Sequence, residues 1–307
     1  MADEFILETK DLTKKFGSFT AVDHVNMHVK RGEVYGFVGE NGAGKTTCMK
    51  IFAGLSKQTA GNVSLLGCPD TRNAGGHIFG RVGTLIEAPG MYPNLSGYEN
   101  LKLLAKGIGN YSDKRIKDLL EFVHITDAAK KNTKGYSLGM RQRLGIAIAL
   151  LAEPELLILD EPVNGLDPQG VADVRHTLRT LCTERGISIL ISSHLLSELE
   201  KVVDTIGIIH KGKLLREVSA DSYASESGTS IRIATPNQTE AIQLLRDELH
   251  FNPELSDKGE IILKNNTMPF GELIQKLVYG NIYINAIEEQ KFSLEELYFS
   301  LTGSGRG

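Results

Sequence analysis

The nine residues Gly39-Glu-Asn-Gly-Ala-Gly44-Lys45-Thr46-Thr47 constrain this chain more than any other stretch. They follow an apolar run, Val34–Val38, that reads as a buried strand, and they enter a helical pattern at Lys45. A strand, a glycine-rich turn and a helix opening on Lys-Thr is the setting in which G-x-x-x-x-G-K-[ST] binds a phosphate chain. Glycines let backbone N–H groups close round phosphate oxygens, and the helix N-terminus adds partial positive charge. Gly39, Asn41, Gly42, Ala43, Gly44, Lys45, Thr46 and Thr47 are therefore the predicted cradle. In it Lys45 reaches the β- and γ-phosphates and the Thr46 hydroxyl holds Mg²⁺. A chance glycine-rich loop with a lysine would need neither the strand before it nor the helix after it.

A second element is Leu156-Leu-Ile-Leu-Asp160-Glu161. Its apolar run suits a parallel strand covered on both faces. Such a strand delivers its last side chains to the edge where open parallel sheets bind ligands. Asp160 is read as part of the Mg²⁺ shell and Glu161 as the general base that polarises the attacking water. An acidic pair after an apolar run is ordinarily just a strand end; its place downstream of a phosphate loop changes that weighing. Ile187–Ile191 repeats the pattern and ends in Ser192-Ser193-His194. A lone His there is ordinarily a turn or core residue, but His194 stands where a γ-phosphate sensor is expected.

Other stretches place the remaining elements. Residues 5–9 and 22–29 alternate apolar and polar, as antiparallel strands with one wet face do. Asp113–Val123 and Leu144–Leu151 have helical spacing. Small polar residues from Ser219 to Gly228 read as a linker. Beyond it, Ser230–Ala234, Ile261–Lys264 and Ile282–Ile287 read as strands, with helices at Thr239–Glu248, Phe270–Val278 and Leu294–Leu301. Charge also changes there. Residues up to Ala220 carry 27 basic and 25 acidic side chains, net +2; the rest carry 7 and 13, net −6. Neither part has the concentrated basic face of a nucleic-acid binder. Three sparse cysteines, Cys48, Cys68 and Cys182, are no disulfide framework and fit a reducing compartment. Met1 is followed by Asp3 and Glu4, so no signal peptide is expected. The longest apolar stretch, Leu144–Ala152, is far shorter than the roughly 20 residues of a bilayer span.

With these residues in hand, the chain resembles the ATP-binding cassette (ABC) ATPases over about residues 5–218. Tyr136-Ser-Leu-Gly-Met140 followed by Arg-Gln-Arg is similar to the family signature, usually Leu-Ser-Gly-Gly-Gln. Asn164-Gly-Leu-Asp167-Pro resembles its D-loop, and Phe16 stands where the family stacks an aromatic ring on adenine. The resemblance implies an α/β fold: a phosphate-loop ATPase domain over residues 1–219, with a mixed sheet core, an antiparallel β subdomain and a helical signature subdomain. Residues 220–307 would form a small α+β accessory domain. It also implies a head-to-tail pair in which ATP is sandwiched between one chain's phosphate loop and the other chain's Ser137 and Gly139, with Asp167 nearby. One phosphate loop per chain means the partner is a second copy or a closely related ATPase chain.

Two departures carry information. Leu138 and Met140 replace Gly and Gln in the signature, while Ser137 and Gly139 remain. Glu87 stands where the family usually has a metal-reaching glutamine. That glutamate, the segment Pro89–Leu101, Ser137–Arg143 and the ending from Phe292 to Phe299 resemble the bacitracin-resistance and lantibiotic-immunity exporters. The implied function is the ATP-hydrolysing subunit of a bacterial exporter, using ATP and Mg²⁺ at the cytoplasmic face of the membrane beside separate integral-membrane permease subunits. Export of antibiotic peptides follows from the subgroup resemblance alone. The alternative is a soluble ABC ATPase acting in cofactor assembly or on another soluble partner; the C-terminal appendage and Glu87 weigh against it.

Overall fold

The computed structural model describes residues 4–73, 76–194, 196–220, 222, 229–256, 259–263, 268–291 and 294–303. The chain divides into two compact units, Met1–Ala220 and Asp221–Gly307. The first contains strands β1 (Phe5–Phe16), β2 (Phe19–Lys30), β3 (Val34–Val38), β4 (Ala60–Leu65), β5 (Val82–Leu85), β6 (Leu156–Asp160), β7 (Ser188–Ser193), β8 (Thr205–His210) and β9 (Lys213–Ser219). Its helices are α1 (Lys45–Phe52), α2 (Gly76–Phe79), α3 (Gly97–Gly107), α4 (Asp113–Phe122), α5 (Leu138–Ala149), α6 (Pro168–Arg185) and α7 (Leu196–Leu199).

The central sheet has the order β5-β6-β7-β3-β8-β9, parallel except for β9 at one edge. Every residue of β3, β6 and β7 is buried, so these strands carry continuous apolar runs rather than alternation, with Asp160, Ser188, Ser192 and Ser193 as buried polar residues at the ends of β6 and β7. The register sets Val38 opposite Ser193 and Asp160 opposite Ser192. The loop after β3, the carboxylates ending β6 and the residue after β7 therefore reach one edge of the sheet. A second, antiparallel sheet, β2-β1-β4, alternates apolar and polar residues. Helix α1 packs against β2 and β6, with Cys48, Met49 and Phe52 fully buried. Cutting Phe52 to Ala there would cost about 3–5 kcal/mol. Packing thus fixes the phosphate-loop helix between the two sheets.

Three serines start the helices on the signature side. Ser96 and Glu99 form a reciprocal capping box on α3; Ser112 caps α4 and Ser137 caps α5. Asp167 caps α6, Pro168 follows as the first helical residue, and Gly186, at φ 65°, closes its C-terminus. The α5 helix begins six residues before the expected Leu144, because its first turns carry the polar signature rather than the apolar stripe that marked the rest.

In the second unit β10 (Thr229–Ala234), α8 (Gln238–Gln243), β11 (Glu254–Leu255), β12 (Ile261–Leu263), α9 (Phe270–Tyr279), β13 (Ala286–Lys291) and α10 (Leu294–Thr302) follow in order. The sheet order β11-β12-β10-β13 is antiparallel throughout, and the connectivity is that of a split β-α-β. Ile231, Ile233, Ile261, Leu263, Leu273 and Leu277 form its core. Two expectations are corrected. The helix expected over Thr239–Glu248 becomes a π-helical turn from Leu244, where adjacent Leu244 and Leu245 both touch the core. The strand expected at Ile282–Ile287 lies instead at Ala286–Lys291, since pairing with β10 begins at Ala286 while Ile282 fills the core. Of the expected linker, Asp221 and residues 223–228 lie outside the described residues, as does Lys264 of the strand expected there.

Candidate nucleotide site

Two glycines of the loop are required by space. A Cβ on Gly39 would lie 2.3 Å from the Ile209 carbonyl oxygen. One on Gly44, which has φ 110°, would lie 2.7 Å from that of Ala21. The Gly212 N–H, in the tight turn between β8 and β9, donates to the Ala43 carbonyl at 2.9 Å. The loop is thus held from behind, and α1 opens on Gly44 without a side-chain cap. Its first N–H groups are left for a ligand. Lys45 is 5% exposed. Its Nζ donates to the carbonyls of Gly39 at 2.5 Å and Glu40 at 3.2 Å, and lies 3.6 Å from Glu161 Oε1. Asn41, Gly42 and Thr47 line the same cleft, of about 290 Å³.

Across the cleft, Asp160 is held at both oxygens. The Thr46 hydroxyl donates to Oδ2 at 2.8 Å and the Ser192 hydroxyl to Oδ1 at 2.6 Å. Glu161 has φ 50°, a left-handed conformation unusual away from glycine, and its N–H donates to Ser192 Oγ at 2.9 Å. That turn aims the carboxylate at Lys45 and at His194, whose Nδ1 lies 2.8 Å from Oε2. The other oxygen, Oε1, is buried without a hydrogen-bond partner.

A neighbouring cleft of about 330 Å³ is lined by Phe16, Thr46, Thr47, Lys50, Ser56 and Glu87. Glu87 follows β5, has φ 64°, and pairs with Lys50 Nζ at 2.5 Å. Phe16 is 55% exposed, with Lys14 Nζ 4.9 Å from its ring centroid. The structure brings together Phe16, the loop, Glu87, Asp160, Glu161 and His194. It places Ser137, Gly139 and Asp167 elsewhere, in a separate cleft of about 410 Å³ that shares no lining residue with the phosphate-loop cleft. There the Ser137 side chain accepts from the Met140 N–H, and Gly139 is so close to Leu166 that a Cβ would stand 3.3 Å from its Cδ2. Asp167 is exposed and accepts from the Gly170 N–H at 3.0 Å. A larger concavity of about 520 Å³, between Arg115, Glu153 and Arg185, touches none of these groups.

Sequence reasoning missed Phe19, Lys50 and Ser192. Phe19 pairs with Phe16 across the β1–β2 turn and lines the main cleft. The signal for it was available in the repeated aromatic around Gly17-Ser18; Ser192 and Lys50 gave none, because their partners lie 32 and 37 residues away.

The donor set fits Mg²⁺. Thr46 Oγ1 and Asp160 Oδ2 are hard oxygens already in contact. Mg²⁺ is typically held by one or two carboxylates together with substrate phosphates.

A buried parallel strand, a glycine cradle with a sunken lysine and a carboxylate pair at the same sheet edge define a nucleotide-hydrolysing ATPase. Comparison with known proteins agrees. The ABC transporter family model matches residues 22–164. The bacitracin transport ATP-binding protein BcrA of Bacillus licheniformis is 43% identical, covering 98% of both chains. The lantibiotic transport ATP-binding protein SrtF of Streptococcus pyogenes is 43% identical over 70% of this chain and 92% of its own. Among solved structures, cbiO1 of Clostridium perfringens, part of the ABC transporter complex cbiONQ, superposes with a TM-score of 0.65 at 25% identity, covering 81% of this chain and 98% of that one. This chain belongs to the ABC transporter family and is one of its ATP-binding, ATP-hydrolysing subunits.

Proposed function

We propose that this subunit drives export of antibiotic peptides through separate integral-membrane permease subunits, at the cytoplasmic face of the membrane. Among the described residues no helix is long and apolar enough to cross a membrane. The cargo reading is supported by the transport functions named for BcrA and SrtF, and by Glu87 in place of the usual glutamine. Segment Pro89–Leu101 is the proposed seat for a cytoplasmic helix of the permease.

One observation carries the mechanism: the chain holds two half-sites without a common lining residue. The phosphate-loop half takes the nucleotide. Lys45 holds the β- and γ-phosphates, and Phe16 stacks on the base. Thr46 and Asp160 would hold Mg²⁺, with Glu87 lining the neighbouring cleft as a further oxygen donor; when bound, the ion would neutralise charge developing on the phosphates. Glu161 takes the proton of the attacking water on Oε1, which Lys45 leaves when it turns to the phosphates, and His194 holds the opposite oxygen of that carboxylate while sensing the γ-phosphate. The Ser137 hydroxyl and Gly139 N–H, at the start of α5, meet the γ-phosphate bound to a second subunit, with Asp167 beside them. Two copies, or this chain and a closely related one, thus close head to tail round two nucleotides, and hydrolysis reopens them.

A mixing experiment tests the shared site. A Ser137→Arg chain and a Lys45→Ala chain are each expected to lose most ATPase activity. The mixed dimer has one doubly broken site and one intact composite site and recovers about half the activity of a wild-type dimer, where one site fires alone. Full activity in either variant by itself would defeat the shared-site reading.

A further inference from the structure

We infer that Ser192 is a positioning residue for the two carboxylates ending β6: it sets which oxygen of Asp160 faces the metal and which way Glu161 points. The inference rests on the roles proposed above for Asp160 and Glu161. Ser192 is completely buried on β7, directly opposite Asp160 in the parallel register. A hydroxyl has one proton to give and lone pairs to receive. Here the proton goes to Asp160 Oδ1 at 2.6 Å and a lone pair takes the Glu161 N–H at 2.9 Å.

Both contacts have consequences at the site. With Oδ1 held by Ser192, Oδ2 is the oxygen left facing Thr46 and the cleft. With its N–H anchored, Glu161 keeps the left-handed backbone, φ 50°, that turns its side chain toward Lys45 and His194. Strained residues persist only where their surroundings over-determine them. The Ser192 hydroxyl is a tether of that kind, and it belongs to the strand whose next turn presents His194. Alanine at this position strands a buried carboxylate oxygen and the Glu161 N–H together, whereas threonine keeps the hydroxyl.

The test compares Ser192→Ala, Ser192→Thr and Asp160→Asn by steady-state ATPase kinetics and by ADP binding titrated with Mg²⁺ or measured in EDTA. Loss of groups that orient metal ligands typically costs 10–100-fold in metal affinity or activity. Ser192→Ala is expected to need about tenfold more Mg²⁺ for tight ADP binding and to lose kcat in the same range. Its ADP affinity in EDTA should stay at the wild-type value. Ser192→Thr should restore both properties. Ser188→Ala is the control for a buried hydroxyl lost from the far end of β7, where Ser188 accepts from the Gly32 N–H; it should leave the Mg²⁺ titration unmoved. Should Ser192→Ala not fold, Ser192→Cys, which keeps the volume and weakens the donor, carries the same comparison. Wild-type Mg²⁺ dependence and kcat in the hydroxyl-free variant, with Asp160→Asn inactive, overturns the role of Ser192 alone. Wild-type Mg²⁺ dependence in Asp160→Asn overturns the metal-site reading beneath it.

Discussion

Nδ1 of His194 lies 2.8 Å from Oε2 of Glu161, while Oε1 of the same carboxylate is buried without a hydrogen-bond partner. Oε2 is engaged by His194, and Oε1 stands 3.6 Å from Lys45 Nζ, a contact that is given up when Lys45 turns to phosphate. Glu161→Gln keeps the shape and removes the base, so kcat should fall by about 10²–10⁴ with ATP binding retained. Groups that act as a unit give non-additive losses. Glu161→Gln/His194→Ala should therefore be little slower than Glu161→Gln alone in a steady-state assay. Fully additive losses would show that the two side chains work separately.

Lys45 spends its ammonium on the loop's own carbonyls and on Glu161. Those contacts are available for exchange with phosphate oxygens, which form stronger charge-assisted bonds. Lys45→Ala should abolish detectable ATP binding in calorimetry while the thermal midpoint changes little. Unchanged ATP affinity would remove Lys45 from the site.

Much of this site is legible in the sequence because its strands are buried on both faces. Val34–Val38 and Leu156–Leu159 are uninterrupted apolar runs, and each ends on the residues that matter. Local chemistry also marks α3 and α6, through Ser96 with Glu99 and through Asp167-Pro168 closed by Gly186, where apolar periodicity alone places neither. The last five residues of Pro89–Leu101 open α3. What cannot be read locally is pairing at a distance. Ser192 and Lys50 matter through partners fixed by sheet register and by the packing of α1. In the second unit Ile282 and Ile284 imitate a strand, since alternation looks the same whether the residues pair or plug a core.

Burial pushes the Cys48 thiol up to about 12, from an ordinary thiol value of 9.0. The unfolded thiol ionises first as pH rises, so the contribution of this site to stability is complete below about pH 9 and is lost progressively toward pH 12. Between pH 8 and pH 10.5 the stability advantage of wild type over Cys48→Ala should shrink by roughly 2 kcal/mol, at 1.36 kcal/mol per pKa unit. Denaturation of both proteins at the two pH values measures it. A constant gap would mean that the thiol ionises inside the fold.

Tyr92 is 53% exposed on a pinned backbone. Its N–H donates to Asn100 Oδ1 at 2.7 Å, and its carbonyl accepts from Asn100 Nδ2 and from the Thr133 hydroxyl. An aromatic presented on a rigid frame loses little entropy on binding, and truncating such anchors often costs about 2 kcal/mol or more. Tyr92→Ala should weaken co-purification with the permease and leave basal ATPase activity unchanged. Undiminished assembly would move the docking surface elsewhere.

Glu87 and Lys50 form the remaining charged relationship at the cleft, with Oε1 2.5 Å from Nζ. The Glu87 side chain is 64% exposed, and exposed pairs typically contribute about 0–1 kcal/mol, so stability is not the main effect expected of this pair. Placement is. Glu87 follows β5 in a left-handed conformation, faces Lys50, and lines the same cleft as Thr46, so a metal seated near Thr46 would compete with Lys50 for its carboxylate. Lys50 neutralises it in the first arrangement; a seated cation does so in the second. Exchange between the two would tell the surface beyond β5 whether the metal site is filled, and Pro89–Leu101 begins two residues later. Glu87→Gln keeps the reach and removes the charge. Basal hydrolysis should remain within about tenfold of wild type, under roughly 1.4 kcal/mol of barrier. Resistance of cells to the exported peptide should fall further than that. Lys50→Ala should lower resistance as well, by freeing the carboxylate before the metal arrives, whereas Lys50→Arg should preserve it. Full resistance in Glu87→Ala cells would show that the signal to the permease does not pass through this carboxylate, and Lys50 would then be a surface partner and nothing more.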